Sequence, residues 1–189
     1  MHYHYKKNRK IYIISGKLKK RNILFTHTSN LRPTMNHIRE TLFNWLSTHI
    51  KNARCLDCFA GSGILGIEAI SRYAAFVTLL EINKKTILQL KKNSVKLNIK
   101  NLEIIKTNTL FWLKKIGQPY DIIFIDPPYD TEIINKTIFL LEYGTWLKNN
   151  SLIYIEKNKK KNITIPQNWI LYKKKISGQT EYCLYVFKK

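Results

Sequence analysis

No acidic residue occurs before Glu40 in this 189-residue chain, and 12 Asp and Glu stand against 33 Lys and Arg overall, a net charge of +21. Such an imbalance points to a polyanionic partner, nucleic acid first and an anionic membrane surface second. Abundant Lys, Asn and Ile also fit a codon bias toward AT, so the distribution of charge carries more than its total. A bias of that kind does not empty one segment of acids. The N-terminal stretch, with Lys6, Lys7, Arg9, Lys10, Lys17, Lys19, Lys20, Arg21, Arg32 and Arg39, therefore reads as a phosphate-facing surface, with Tyr3, Tyr5 and Tyr12 available to stack on bases. Lys159–Lys161 and Lys173–Lys175 read as solvated runs.

Cysteine is scarce. Three residues are too few for a disulfide framework or a four-cysteine zinc site, and no metal is expected. Cys55 and Cys58 have Cys-x-x-Cys spacing, but they fall at the end of an expected strand, where small half-buried side chains explain them better than redox chemistry does. Long apolar runs are also missing: none approaches the roughly 20 residues that span a bilayer. The N-terminal segment is cationic without an apolar centre, unlike a secretory signal. The expectation is a cytoplasmic protein, with no membrane partner and nothing that requires more than a monomer.

Two short strands, 11–15 and 22–26, flank a basic turn containing Gly16 and read as a hairpin. Thr34 is placed to cap a helix in which Ile38, Leu42, Trp45, Leu46 and Ile50 recur at helical spacing. Beyond Ala53, strands expected at 53–58, 76–81, 102–106 and 121–126 alternate with helices at 63–73, 84–98, 108–115 and near 132–143. That alternation argues for a mostly parallel sheet covered on both faces. The tail adds strands at 151–156, 168–174 and 181–187, the last two as an antiparallel hairpin at one edge. The chain thus divides into a basic hairpin arm, 1–34, and one α/β domain, 35–189.

Two motifs carry chemistry. Gly61-x-Gly63-x-x-Gly66 follows the first strand of the alternating region, and the next strand ends in Glu81, an acid positioned to accept both hydroxyls of a ribose. A nicotinamide dinucleotide and S-adenosylmethionine both satisfy this pattern. Asp57, immediately before the turn, favours the cationic amino acid of the second over a pyrophosphate. After the third strand, Asn108 has two readings, an adenine contact or a helix cap. The other motif is Asp126-Pro127-Pro128-Tyr129, at the end of the apolar run Ile122–Ile125. Proline donates no backbone hydrogen bond and fixes φ. One carboxylate, bare carbonyls and an aromatic face make a ledge for a flat substrate whose amino group must meet acceptors only, as in a nucleobase.

Asp57, the glycine turn, Glu81, Asn108 and the ledge, in this order, resemble the class I S-adenosylmethionine-dependent methyltransferases. Leu31-Arg32-Pro33-Thr34, Arg39 to Leu46, Glu68 to Ala75, Leu152 to Glu156 and Gly178-Gln179 narrow the resemblance to the RsmD-type bacterial enzymes that methylate guanine N2 in small-subunit ribosomal RNA. It covers nearly the whole chain, and Asn83 departs from it where such enzymes often carry an acid. The resemblance implies a Rossmann-like α/β fold, a seven-stranded sheet with a C-terminal antiparallel hairpin, plus the small N-terminal hairpin. It implies S-adenosylmethionine contacts at Asp57, Phe59, Ala60, Gly61, Gly63, Glu81, Asn108, Thr109 and Leu110. Methyl transfer is expected at Asp126, Pro127, Pro128 and Tyr129, and contacts to 16S rRNA, free or in the assembled small subunit, at Arg9, Arg21, Arg32 and Arg39. Two rivals share parts of the pattern: a DNA methyltransferase acting on adenine N6 or cytosine N4, and a non-catalytic RNA-binding protein on the same fold.

Overall fold

Runs rich in Ile, Val and Leu alternate with amphipathic segments after position 53, and buried parallel strands are what such near-continuous apolar runs form. The computed structural model describes residues 8–26, 34–128 and 131–189. In it, β1 (Asn8–Tyr12) and β2 (Asn22–Thr26) form a separate two-stranded sheet, followed by α1 (Asn36–Trp45). The alternating region comprises β3 (Arg54–Asp57), α2 (Ile64–Ser71), β4 (Phe76–Glu81), α3 (Lys84–Lys96), β5 (Leu102–Lys106), α4 (Thr109–Leu113), β6 (Tyr120–Ile125), α5 (Thr131–Tyr143) and β7 (Leu147–Asn158). β8 (Trp169–Ser177) and β9 (Thr180–Phe187) complete the chain.

The large sheet has seven strands in the order β5-β4-β3-β6-β7-β9-β8. The first five run parallel, and β9 lies antiparallel between β7 and β8. This is the expected sheet, with one detail that hydrophobicity decides. β9 buries Tyr182 to Tyr185 and so takes the inner position, whereas β8, exposed from Ile170 to Lys175, forms the edge. From β3 the chain builds outward to β5 and then returns to place β6 on the other side of β3. Ligands of open α/β sheets bind at such a reversal, outside the carboxyl ends of the strands.

One face of the sheet packs Val77, Leu79, Phe124 and Tyr154 against Ile38, Leu42 and Phe43 of α1 and Ala69 and Ile70 of α2. The other packs Leu56, Ile123 and Ile153 against Trp112, Ile134, Ile138 and Leu141. There the Trp112 and Trp146 rings stack with centroids 4.1 Å apart. The N-terminal hairpin closes a third cluster, in which Ile11, Ile13, Ile23 and Phe25 cover Ile64, Ile67 and Leu97. Its docking point is a buried carboxylate: Glu68 of α2 accepts from Ile14 N–H at 3.0 Å and Ser15 N–H at 3.1 Å, and pairs with Arg39 and Arg72. Among the described residues, no helix is long and apolar enough to cross a membrane.

Two expectations are corrected here. Thr34 does not cap α1, whose N-cap residue is Met35 without a side-chain cap. Arg39 is no phosphate contact: it is fully buried, bonding the Tyr12 carbonyl, Asn36 Oδ1 at 2.6 Å and Glu68. Its guanidinium ties the hairpin to α1 and α2.

Candidate active site

The carboxyl ends of β3, β4, β6 and β7 open onto one cavity of about 680 Å³, a volume typical of small-ligand sites. Four of the chain's 12 acids line it, Asp57, Glu81, Asp126 and Glu156, each within two residues of a strand's carboxyl end. With Lys157 and Lys161 as the cations of the same wall, the four acids still outnumber them in a chain of net charge +21, which suits a cationic ligand better than a pyrophosphate. This favours S-adenosylmethionine, whose ammonium and sulfonium are both positive, over a nicotinamide dinucleotide. The donor set fits the group that the resemblance implies.

Asp57 is 2% exposed, and burial pushes its carboxyl up to about 7, aided by the charges of Asp126 and Glu81 and opposed by the Phe59 N–H at 3.3 Å. Glu81 is clamped by three backbone donors: Gly61 N–H on Oε2 at 3.0 Å, and Ile82 and Asn83 N–H on Oε1 at 2.8 and 2.7 Å. The acid of the second strand therefore also fixes the glycine turn 20 residues earlier. Asn83, which departs from the family pattern, caps α3 by accepting from Lys85 and Thr86 N–H. Capping by Asn at a helix start is the available signal.

The three glycines divide their labour. Gly61 sits in the cavity wall with φ 50, a backbone conformation that side chains disfavour. Gly66 allows α2 to lie on β4, since a Cβ there would stand 2.5 Å from Leu79. Gly63, with φ 77, starts α2, and a Cβ there would stand 2.4 Å from Leu90 of α3. Phe59, Ala60, Asn108 and Thr109 also line the cavity, and Thr109 donates to the Cys58 carbonyl. Asn108 caps α4 through Oδ1, accepting from Phe111 N–H at 3.1 Å, so the capping alternative holds for that oxygen. Leu110 lies on α4 outside the cavity wall. Cys55 and Cys58 are free and buried, and burial pushes both thiols up, which removes the redox reading.

At the ledge, Asp126 is partly exposed to the cavity and Pro127 and Pro128 line it. Burial raises the Asp126 carboxyl to about 6, against a hydrogen bond from the Thr34 hydroxyl at 3.0 Å. Thr34 thus serves not the helix beside it but an acid 92 residues away. Tyr129 and Arg32 lie outside the described residues. Arg9 and Arg21 are exposed on the hairpin, Arg21 donating to the Lys96 carbonyl at 2.9 Å. Glu156 escaped the sequence reading, although its signal was the same as that of Glu81: an acid closing a buried apolar run.

A sheet of this order, with an acid-lined crevice at its reversal and an Asp-Pro-Pro ledge on the fourth parallel strand, defines a Rossmann-like methyltransferase. The chain belongs to the family described as Conserved hypothetical protein 95, the RsmD family, whose model matches residues 11–186. It is 67% identical over 183 residues to Ribosomal RNA small subunit methyltransferase D of Buchnera aphidicola subsp. Acyrthosiphon pisum, covering 96% of each chain. To the protein of the same name from Escherichia coli K12 it is 44% identical over 176 residues, 93% of this chain and 89% of that one. The solved structure of Escherichia coli yhhF superposes with a TM-score of 0.90 at 41% identity, over 95% of this chain and 99% of that one.

Proposed function

We propose that this methyltransferase moves a methyl group from S-adenosylmethionine to the exocyclic N2 of a guanine in 16S rRNA. The observation that carries this reading is the continuity of the acid-lined crevice with the Asp126-Pro127-Pro128 ledge in one cavity. Bound S-adenosylmethionine would supply an electrophilic methyl group on a sulfonium. Glu81, held by three backbone donors, is pre-set to accept from ribose hydroxyls, and Asp57 to face the ammonium. Phe59, Ala60, Gly61, Asn108 and Thr109 would line the nucleoside. The substrate amine is a poor nucleophile, its lone pair being delocalised into the ring. Asp126 and the Pro127 carbonyl, accepting its two N–H groups, would draw that nitrogen toward tetrahedral geometry. The lone pair would then be free to take the methyl group as its bond to sulfur breaks, with S-adenosylhomocysteine as the leaving group and the surplus amine proton passing to Asp126 or to water; orientation of this kind is worth about 7–11 kcal/mol. Tyr129 is assigned the stacking contact, worth about 1–3 kcal/mol. The curated relatives named for small-subunit rRNA support this substrate.

Cofactor affinity should depend on Asp57. With the free carboxyl at about 7, an ammonium partner lowers that value, so binding releases a proton below neutrality. Affinity is therefore nearly level above about pH 7.5 and weakens as pH falls, by roughly 25-fold at pH 5.5, since each unit of unmatched titration costs about 1.4 kcal/mol. Calorimetric titration with S-adenosylmethionine across this range checks the expectation, and Asp57→Asn should flatten the profile.

The basic hairpin is proposed as the phosphate grip, with Arg9, Arg21 and Arg32 as contacts and Arg39 removed from the set. Its truncation would uncover the cluster around Ile23 and Ile67, so charge substitutions make the cleaner test. Replacing exposed Arg9, Lys10, Lys19 and Lys20 by Gln should make the salt dependence of RNA binding shallower, by about 0.7 in log–log slope for each phosphate no longer neutralised. An unchanged slope would assign those charges to solvent alone.

A further inference from the structure

β7 passes beside the ledge. Phe124 pairs with Tyr154 and Ile125 with Ile155 across β6 and β7, so Asp126 leaves β6 next to Glu156. Side chains alternate along a strand. Phe124 and Tyr154 meet edge to face at 6.4 Å, on the side covered by α1, and two residues further on Asp126 and Glu156 share that side. Both line the cavity. Each is oriented by a hydroxyl: Thr34 donates to Asp126 Oδ2 at 3.0 Å and the buried Tyr154 to Glu156 Oε2 at 2.9 Å. Neighbouring strands lie about 4.8 Å apart, so two carboxylates on adjacent strands can meet adjacent atoms of one base edge. A carboxylate has about four lone-pair sites, which leaves the Tyr154 bond compatible with a base contact.

We propose that Glu156 is the specificity-determining acceptor, taking the ring N1–H of the base while Asp126 takes the neighbouring amine. This rests on the guanine-N2 reading above. Three nucleobases carry an exocyclic amine, but only in guanine is the adjoining ring nitrogen on the Watson–Crick edge a donor. Adenine N1 and cytosine N3 present lone pairs there. Two acceptors side by side complement guanine and set a carboxylate against a lone pair in either rival. Sites that leave a buried polar group unpaired reject the wrong substrate far more strongly than apolar pockets do. Glu156 thereby also separates this chain from amino-methyltransferases acting on adenine N6 or cytosine N4.

The test uses small-subunit RNA, free or reconstituted into particles, carrying guanine or 2-aminopurine at the target position. 2-Aminopurine keeps the amine at C2 but presents a lone pair at N1. The wild-type chain should prefer guanine by at least about 100-fold in kcat/KM. In Glu156→Gln the side-chain amide can donate to that lone pair, so the preference should narrow by about tenfold or more. Glu156→Asp, which keeps the acceptor, should retain most of the preference, and S-adenosylmethionine titration confirms that each variant is folded. A merely structural Glu156 would lower both rates together, and an unchanged preference in Glu156→Gln overturns the assignment. Absence of methyl on guanine N2 with the wild-type chain removes the parent reading, and this assignment with it.

Discussion

Asp126→Asn is expected to lower kcat for methyl transfer to RNA by at least about 100-fold, with S-adenosylmethionine affinity held within a few-fold. Size and the Thr34 contact are conserved, since the amide oxygen still accepts the hydroxyl now 3.0 Å from Oδ2. The change lies in what faces the substrate amine: an acceptor becomes, in part, a donor, and two N–H groups then oppose each other. An interaction made chiefly in the transition state appears in kcat and leaves KM nearly unchanged. pH supplies the second readout. A carboxyl raised to about 6 is protonated below that value and accepts poorly, so the wild-type rate should rise with pH through 6 and level off above it. The Thr34 bond favours the charged form, so Thr34→Val raises the carboxyl further and moves this acid limb to higher pH. In Asp126→Asn the limb should vanish with most of the rate. Single-turnover methyl incorporation against pH measures all three, and full activity in Asp126→Asn would overturn the role.

The arrangement of the sheet was legible because its signals are local. Apolar strand runs, the glycine turn and the acids that end strands each lie within a few residues, and they place Asp57, Glu81 and Asp126 at one crevice. What Gly63 and Gly66 must avoid was not legible, because Leu90 on α3 and Leu79 on β4 are side chains that only the folded sheet brings near. Thr34 and Arg39 were misread for a shared reason. Each looked like a local device, a helix cap and a surface cation, while its partner was set by tertiary structure. Asp126 stands 92 positions beyond Thr34, and Glu68 stands 29 beyond Arg39. An acid-free, lysine-rich stretch conceals one buried cation among many exposed ones. Glu156 was recoverable, since it repeats the pattern of Glu81, but it took the pairing of β6 with β7 to set it beside Asp126.

Glu68→Ala is expected to be the most destabilising single change outside the active site. The carboxylate is fully buried and takes four donors: Ile14 N–H, Ser15 N–H, the Arg39 guanidinium at 3.4 Å and Arg72 Nε at 3.1 Å. Arg39 is equally buried, its Nε has no hydrogen-bond partner among the described residues, and burial already lowers its affinity for a proton. Removing the acid strands that charge and leaves two backbone donors unsatisfied, a loss of about 3–5 kcal/mol for a broken buried pair. For a chain of this size each kcal/mol lowers Tm by about 2–4 °C, so calorimetry should find a fall of roughly 6–20 °C. Glu68 joins α2, which begins at the glycine turn, to α1 and the hairpin, so the damage should not stay local. Proteolysis should reach the hairpin first, and RNA affinity should fall before cofactor affinity does. Pairing the change with Arg39→Met removes the stranded charge and should recover part of the loss. It should not recover all of it, because Ile14 and Ser15 N–H still lack an acceptor. A Tm equal to the wild type in Glu68→Ala would mean that water replaces the carboxylate and that the hairpin is held by its apolar face alone.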